Sequence, residues 1–285
     1  MARPHPYRGH CAAIATMHGK ERVVAPIMAQ CFGLHLARAD DIDTDMLGTF
    51  AGEIERRGSM LDAARAKARL AIERTGARFG LGSEGAFGPH PALPILSSGL
   101  ELMLLIDFDS DHEIAVHRRT RTNYHSISAS PGRDLSDFLR RVGFPEHAVI
   151  VRPEKSEERT AILKGIVEIK TLHDAIASMA AVSTSGRALV QTDMRAHLNP
   201  TRMKAIRHVT KALALRIARL CPLCGSPGFG LSDVERGLPC RECGSPTDLI
   251  RAEVHACLRC GHRAHRRQRP MTVRADPMWC HLCNP

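Results

Sequence analysis

Eight of the ten cysteines lie in the last 65 residues, arranged as four Cys-x-x-Cys pairs: Cys221/Cys224, Cys240/Cys243, Cys257/Cys260 and Cys280/Cys283. Such a turn aims two sulfurs at one point, so two turns can close a tetrahedral thiolate cage around Zn²⁺. Fifteen residues separate Cys224 from Cys240, and nineteen separate Cys260 from Cys280. Both gaps suit the usual spacing of paired zinc turns, whereas the middle gap of thirteen falls outside it. Spacing therefore favours sequential sets, with Cys221/Cys224/Cys240/Cys243 holding one structural zinc and Cys257/Cys260/Cys280/Cys283 the other. The alternative is an interleaved arrangement in which the first and third pairs share an ion. A disulfide scaffold would need an oxidising compartment, and the N-terminal stretch MARPHPYRGHCAAIATMHGK carries no apolar core of a signal peptide, so a cytoplasmic location is expected. Cys11 and Cys31, far upstream in apolar surroundings, read as buried small hydrophobes.

A chain of 285 residues can build one sizeable core and an appendage. The expected division is a body over residues 1–220 and paired zinc ribbons over 221–285. No apolar run approaches the ~18 residues of a membrane span, so no membrane partner is expected. Net charge is +10, which points to anionic partners. The cysteine-rich segment contributes little of it: nine Arg and no Lys face six acids there, and thiolates around zinc would bring it close to neutral. Its one basic run lies at Arg263–Arg269, with Arg263, Arg266, Arg267 and Arg269 able to meet nucleic acid or an acidic protein. Aromatic residues make up only 4% of the chain, which argues against a surface that stacks bases.

Strand and helix signals alternate through the body, which predicts an α/β layer architecture. Strands are expected over 11–16, 34–37, 78–83, 101–107, 112–120, 147–151 and 188–191, and helices over 21–32, 134–142, 171–181 and from Pro200 onward. The helix opening after Ser59 is the best marked. Its apolar positions recur at helical spacing, Ser59 is the N-cap, Asp62 stands at N3 and Gly76 ends it. Residues 40–45 read as loop. So does 80–94, on its glycines and three prolines.

Three segments within residues 10–90 resemble the inosine/xanthosine triphosphate pyrophosphatases and their Maf-like relatives. A strand ending in Ala15-Thr16-Met17-His18-Gly19-Lys20 stands where that superfamily has a Thr/Ser-and-Asn turn followed by Lys. Ser59-Met60-Leu61-Asp62-Ala63-Ala64-Arg65-Ala66-Lys67-Ala68 follows its helix motif Thr-Phe-x-Glu-Asn-Ala-x-x-Lys-Ala in register. Gly82-Ser83-Glu84-Gly85 occupies the place of its acidic, glycine-rich strand end, and Arg195 and His197 faintly resemble its late base-binding segment. The whole chain, body and ribbons together, looks like a bacterial family of unknown function.

What the resemblance implies is an α/β fold of the inosine triphosphatase type, a mixed sheet with flanking helices, and Mg²⁺-dependent hydrolysis of a nucleoside triphosphate with release of pyrophosphate. Thr16, His18, Lys20 and Lys67 would bind the phosphates, Arg195 and His197 would meet the base, and Asp62 and Glu84 would serve as the catalytic, magnesium-binding acids. Each also has a plainer role open to it. His18 can cap its turn, and Asp62 and Lys67 can lie on a solvated helix face. The competing expectation for the chain is a non-enzymatic module that binds nucleic acid or protein through its zinc ribbons.

Overall fold

The structure is a computed structural model that describes residues 4–39, 58–156, 161–266 and 273–285. The loop expected over 40–45, and Arg267 and Arg269 of the basic run, lie outside the described residues. The chain divides into two compact units, residues 7–213 and residues 1–6 with 214–285. Among the described residues no helix is long and apolar enough to cross a membrane.

The first unit is α/β, with a mixed sheet and flanking helices. Strand β1 (Cys11–Ala15) enters helix α1 (Glu21–Phe32), which returns to β2 (His35–Ala39). Helix α2 (Met60–Thr75) precedes β3 (Phe79–His90), β4 (Leu93–Asp107) and β5 (His112–Arg121). These strands form one sheet in the order β2-β1-β3-β4-β5. β1 runs parallel to β2 and β3, while β3, β4 and β5 form an antiparallel meander. The start of α2 follows its sequence closely. Ser59 accepts from the Asp62 amide while the Asp62 carboxylate accepts from the Ser59 amide, and Gly76 ends the helix in the left-handed conformation.

The glycine-rich stretch over 80–94 is hairpin rather than loop. Its arms, β3 and β4, pair from Phe79↔Asp107 to His90↔Leu93. The glycines serve packing. A Cβ at Gly80 would lie 2.3 Å from the Ala68 carbonyl oxygen, and one at Gly82 would lie 1.9 Å from that of Ala64. Only bare backbone lets α2 approach β3 this closely.

A second sheet, in the order β6-β9-β7-β8, is antiparallel throughout. It comprises β6 (Ser126–Ala129), β7 (Val149–Pro153), β8 (Leu163–Ile166) and β9 (Ala188–Thr192), with α3 (Ser136–Val142) and α4 (Ile169–Ala181) between them. Its core gathers Phe138, Val142, Val149, Val151, Leu172, Ile176 and Val190. β6 and β8 are four residues each, too short for their alternation to stand out in the sequence.

Helix α5 (Pro200–Ile217) is followed by the cysteine-rich segment, whose sheet has the order β10-β11-β12: β10 (Gly230–Arg236), β11 (Ile250–Ala256) and β12 (Arg263–Arg266). Cys11 and Cys31 are exposed rather than buried. Cys11 opens β1, whose other four residues are the enclosed ones, and Cys31 falls outside the buried set Val24, Ile27, Met28 and Phe32 of α1.

Candidate functional site

The four cysteine pairs form two clusters, Cys221/Cys224/Cys257/Cys260 and Cys240/Cys243/Cys280/Cys283, in each of which all sulfurs lie within 4.8 Å of one another. The sets are interleaved, which corrects the sequential pairing expected from spacing. The hairpin sets the pairing. Gly230 at the start of β10 faces Ala256 at the end of β11, so the turn before β10 meets the turn after β11. β12 then runs back along β11, from Ala256↔Arg263 to Glu253↔Arg266, and Cys240 bridges Ala275, which brings the last pair to the second. Loop closure grows only logarithmically, about 0.6 kcal/mol per doubling, so the longer loops of the interleaved form cost little against strand pairing.

Sulfurs stand 3.7 Å apart for Cys221–Cys260, 3.6 Å for Cys224–Cys257, 3.9 Å for Cys240–Cys283 and 3.5 Å for Cys243–Cys280. A disulfide needs about 2.05 Å. Four thiolates about 2.3 Å from a central Zn²⁺ stand about 3.8 Å apart along the tetrahedron's edges. Both groups can hold zinc on this geometry. The turns repeat a common frame: Gly225, Gly244 and Gly261 follow the second cysteine with positive φ, and each donates back to the carbonyl of the first cysteine. Amides of Leu223 and Arg259 point at the Cys221 and Cys257 sulfurs at 3.4 Å each. The Ser245 hydroxyl and backbone, with Cys283 and Cys280 beside them, pull the Cys243 thiol down to about 6.

In the first unit, charged residues gather where β1 ends. β1 pairs with β3 only over Ala12–Ile14 and Phe79–Leu81, although β3 runs on to His90. Beyond that ladder the turn from Thr16 to Lys20 takes the place of a strand. The Thr16 hydroxyl accepts from the His18 amide at 3.3 Å. Lys20 Nζ donates to the Ser83 carbonyl at 3.0 Å and approaches Ser83 Oγ at 3.4 Å. Lys67 Nζ stands 2.5 Å from Glu84 Oε1. Arg202, in the first turn of α5, donates from Nε to Glu101 Oε1 at 2.9 Å, also donates to the Met194 carbonyl, and lies over the Phe87 ring. Lys20, Lys67, Glu84, Glu101 and Arg202 are all buried.

Glu84 with Lys67 lies on the α2 face of the sheet and Glu101 with Arg202 on the other, and the buried Lys20 registers the charge of all four. Burial is the largest influence on it. The charges of Arg202 and Lys67 act in the same direction, against Glu84 and Glu101, and its pKa is pushed down to about 7. His18 stacks on His197 with ring centroids 5.1 Å apart. Burial, with His18 and Arg195 nearby, lowers the His197 pKa. Arg195 donates to the fully buried Asp193 at 2.7 Å.

Of the residues singled out in the sequence, Thr16, His18, Lys20, Lys67, Glu84 and His197 lie on or beside this region. Arg195 adjoins it through the segment that carries His197. Asp62 is engaged elsewhere. Its carboxylate is exposed, accepts from the Ser59 hydroxyl at 2.7 Å, and pairs with Arg65 at 2.8 Å. Glu101 and Arg202 also belong to the region, and the resemblance assigns neither a role. Both carried a signal: Glu101 falls in phase with the buried Met103 and Leu105, and Arg202 in phase with the buried Ile206, Val209 and Leu213. Asp107, an acid just past an apolar strand, takes a bidentate pair from Arg78 at 3.0 Å on both sides.

A family model described as a domain of unknown function, DUF6671, matches residues 67–285. The match spans the β3–β4 hairpin, α5 and both cysteine clusters, and begins beyond Thr16, His18, Lys20 and Asp62. No curated protein matches the chain, and no solved structure does.

Proposed function

We propose that this chain, which belongs to the DUF6671 family, is a Mg²⁺-dependent hydrolase that releases pyrophosphate from nucleoside triphosphates and carries two structural zinc ions. The observation that carries the reading is the buried cluster of Lys20, Lys67 and Arg202 with Glu84 and Glu101 at the end of β1. Burying so much charge is expensive, and three cations against two carboxylates leave a positive excess that a phosphate chain would neutralise. The crevice beyond the end of a parallel strand that leads into a helix is also where open α/β sheets place their ligands. The sequence resemblance of residues 10–90 to the triphosphate pyrophosphatases agrees with this chemistry.

On this reading Lys20 and Lys67 hold phosphate oxygens, and the stacked His18 and His197 border the nucleoside. A divalent ion would supply charge neutralisation and an activated water. Glu84, held by Lys67, would orient the attacking water. The zinc ions are closed by four thiolates each and contribute no open position, so their role is to fold the ribbon. Exposed Arg263 and Arg266 on β12 give the ribbon a surface for an anionic partner, nucleic acid or acidic protein.

The test is pyrophosphate release by the full-length, zinc-loaded protein across a panel of nucleoside triphosphates with Mg²⁺. At least one should turn over, and Glu84→Gln should lower kcat by about 10²-fold or more. A panel without any Mg²⁺-dependent turnover overturns the proposal.

A further inference from the structure

The stretch between Glu113 and Asp134 contains no acidic residue, yet it carries Arg118, Arg119, Arg121 and Arg133 together with His117 and His125. Most of this charge lies on β5, the edge strand of the first sheet. His117, Arg118, Arg119 and Arg121 are all exposed there. Side chains alternate across a strand, so His117, Arg119 and Arg121 share one face. Arg119 uses one of its donors on the Ser98 hydroxyl, 3.2 Å away, which fixes it on that face. Beyond Arg121 the chain passes the end of α3, where Asn123 donates to the Val142 carbonyl at 2.8 Å. Exposed Arg141 stands beside this continuation: burial, and then the Arg141 charge, lowers the His125 pKa.

Among the described residues nothing neutralises this row. Arg119, Arg121 and Arg141 pair with no carboxylate there, and the nearby acids are engaged elsewhere. Glu113, which opens the same face of β5, is held by Arg65 at 2.7 Å. Glu101, opposite Arg118 in the ladder, is buried and bonded to Arg202. Asp137 pairs with Arg140, and Asp134 accepts from the Ser136 hydroxyl.

What the row lacks selects its partner. Among the described residues no large apolar side chain between Phe108 and Leu163 is exposed. Stable protein interfaces have an apolar centre, whereas phosphates are held by charge and hydrogen bonds alone. Alternate residues of a strand stand about 6.4–6.8 Å apart. That is close to one backbone repeat of an extended nucleotide chain, so Arg119 and Arg121 can take successive phosphates.

We infer that the edge of β5, through Arg119, Arg121 and Arg141, binds the phosphate backbone of a single-stranded nucleic acid. A straight row along one strand follows one backbone, and with no row of aromatic rings to stack bases the contact reads charge rather than sequence. The inference uses none of the residues assigned to the triphosphate, and it is read by binding rather than by turnover, so it stands or falls apart from the hydrolase.

The probe is a fluorescein-labelled oligothymidylate of about 20 nucleotides, longer than a site of this kind. It is titrated with the full-length, zinc-loaded protein and followed by anisotropy at about pH 8, where imidazoles are neutral. Three arginines on three phosphates should give a log–log salt slope of about −2 or steeper. Arg119→Gln/Arg121→Gln should weaken binding about tenfold or more at about 50 mM salt and make the slope shallower by about 1.4. Arg141→Gln, on a separate element, should make it shallower by about 0.7, which keeps the test decisive should the double variant fail to fold in a thermal melt. Arg263→Gln/Arg266→Gln removes the same charge from the ribbon and should weaken binding about threefold or less. A wild type that does not bind, an unchanged affinity and slope in the folded variants, or an equal loss in the ribbon variant overturns the inference. So does polyglutamate that displaces the probe as well as unlabelled oligothymidylate at equal charge, which would make the row a site for acidic protein. A duplex that displaces it more readily at equal phosphate overturns the assignment to single strands.

Discussion

Lys20 is the residue whose state is most tightly bound to its surroundings. Its folded pKa of about 7 lies well below the ordinary lysine value of 10.5, so between those values the unfolded chain holds a proton that the folded chain has released. The contribution of this group to stability then rises with pH across that window, and the penalty of burying the ammonium is fully present only below it. Denaturant unfolding at pH 7 and pH 9.5 should show this rise in the wild type and a smaller one in Lys20→Met, which has no proton to lose. An identical pH dependence in the two proteins would mean that Lys20 is solvated. A phosphate bound beside Lys20 would pull its pKa back up, so ligand binding in this window should also take up protons.

At the scale of elements, α2 and β3 show what the sequence discloses and what it withholds. The capping residues of α2 are local, and a pattern spanning three positions was enough to place Ser59, Asp62 and Gly76. The same locality explains the role of Asp62: a carboxylate at N3 can close a capping box, and here it does. The sequence pattern carries β3 only to Ser83, because glycine and proline usually mark loops. Its glycines instead answer a helix packed across the strand at Ala64 and Ala68, a demand set by residues outside the strand itself. Glu101 and Arg202 meet across a hundred residues of chain, and no spacing rule reaches that far. The packing account has a direct check. Gly82→Ala should destabilise the protein by about 1–3 kcal/mol or more through overpacking against the Ala64 carbonyl. Gly88→Ala, where a Cβ would meet nothing within 4 Å, should change stability by no more than about 1 kcal/mol. Equal effects at the two sites would show that β3 and α2 are not in close contact.

Across the whole molecule, the cysteine pairs reveal their chemistry by count and spacing but conceal their partnership, because partnership follows strand topology. Four pairs allow a sequential and an interleaved solution with the same ligands, and spacing compares only the lengths of the intervening loops. The antiparallel run of β10, β11 and β12 selects the interleaved one by carrying each chain reversal back to the opposite end of the sheet. Both arrangements hold the same number of ions, so the partnership of the cysteines is what separates them. Metal analysis of protein purified without added metal should return about two zinc per chain. In ¹¹³Cd-substituted protein, the β-protons of Cys221 and Cys257 should couple to one cadmium nucleus, and those of Cys240 and Cys280 to the other. Coupling of Cys221 and Cys240 to a common nucleus would restore the sequential arrangement and contradict the strand order. Interleaving also ties the two sites together, because the segment between Cys224 and Cys257 contains Cys240 and Cys243. Replacing Cys221 and Cys224 with serine should therefore weaken metal at the untouched site as well, whereas independent sequential ribbons would keep one zinc at full affinity.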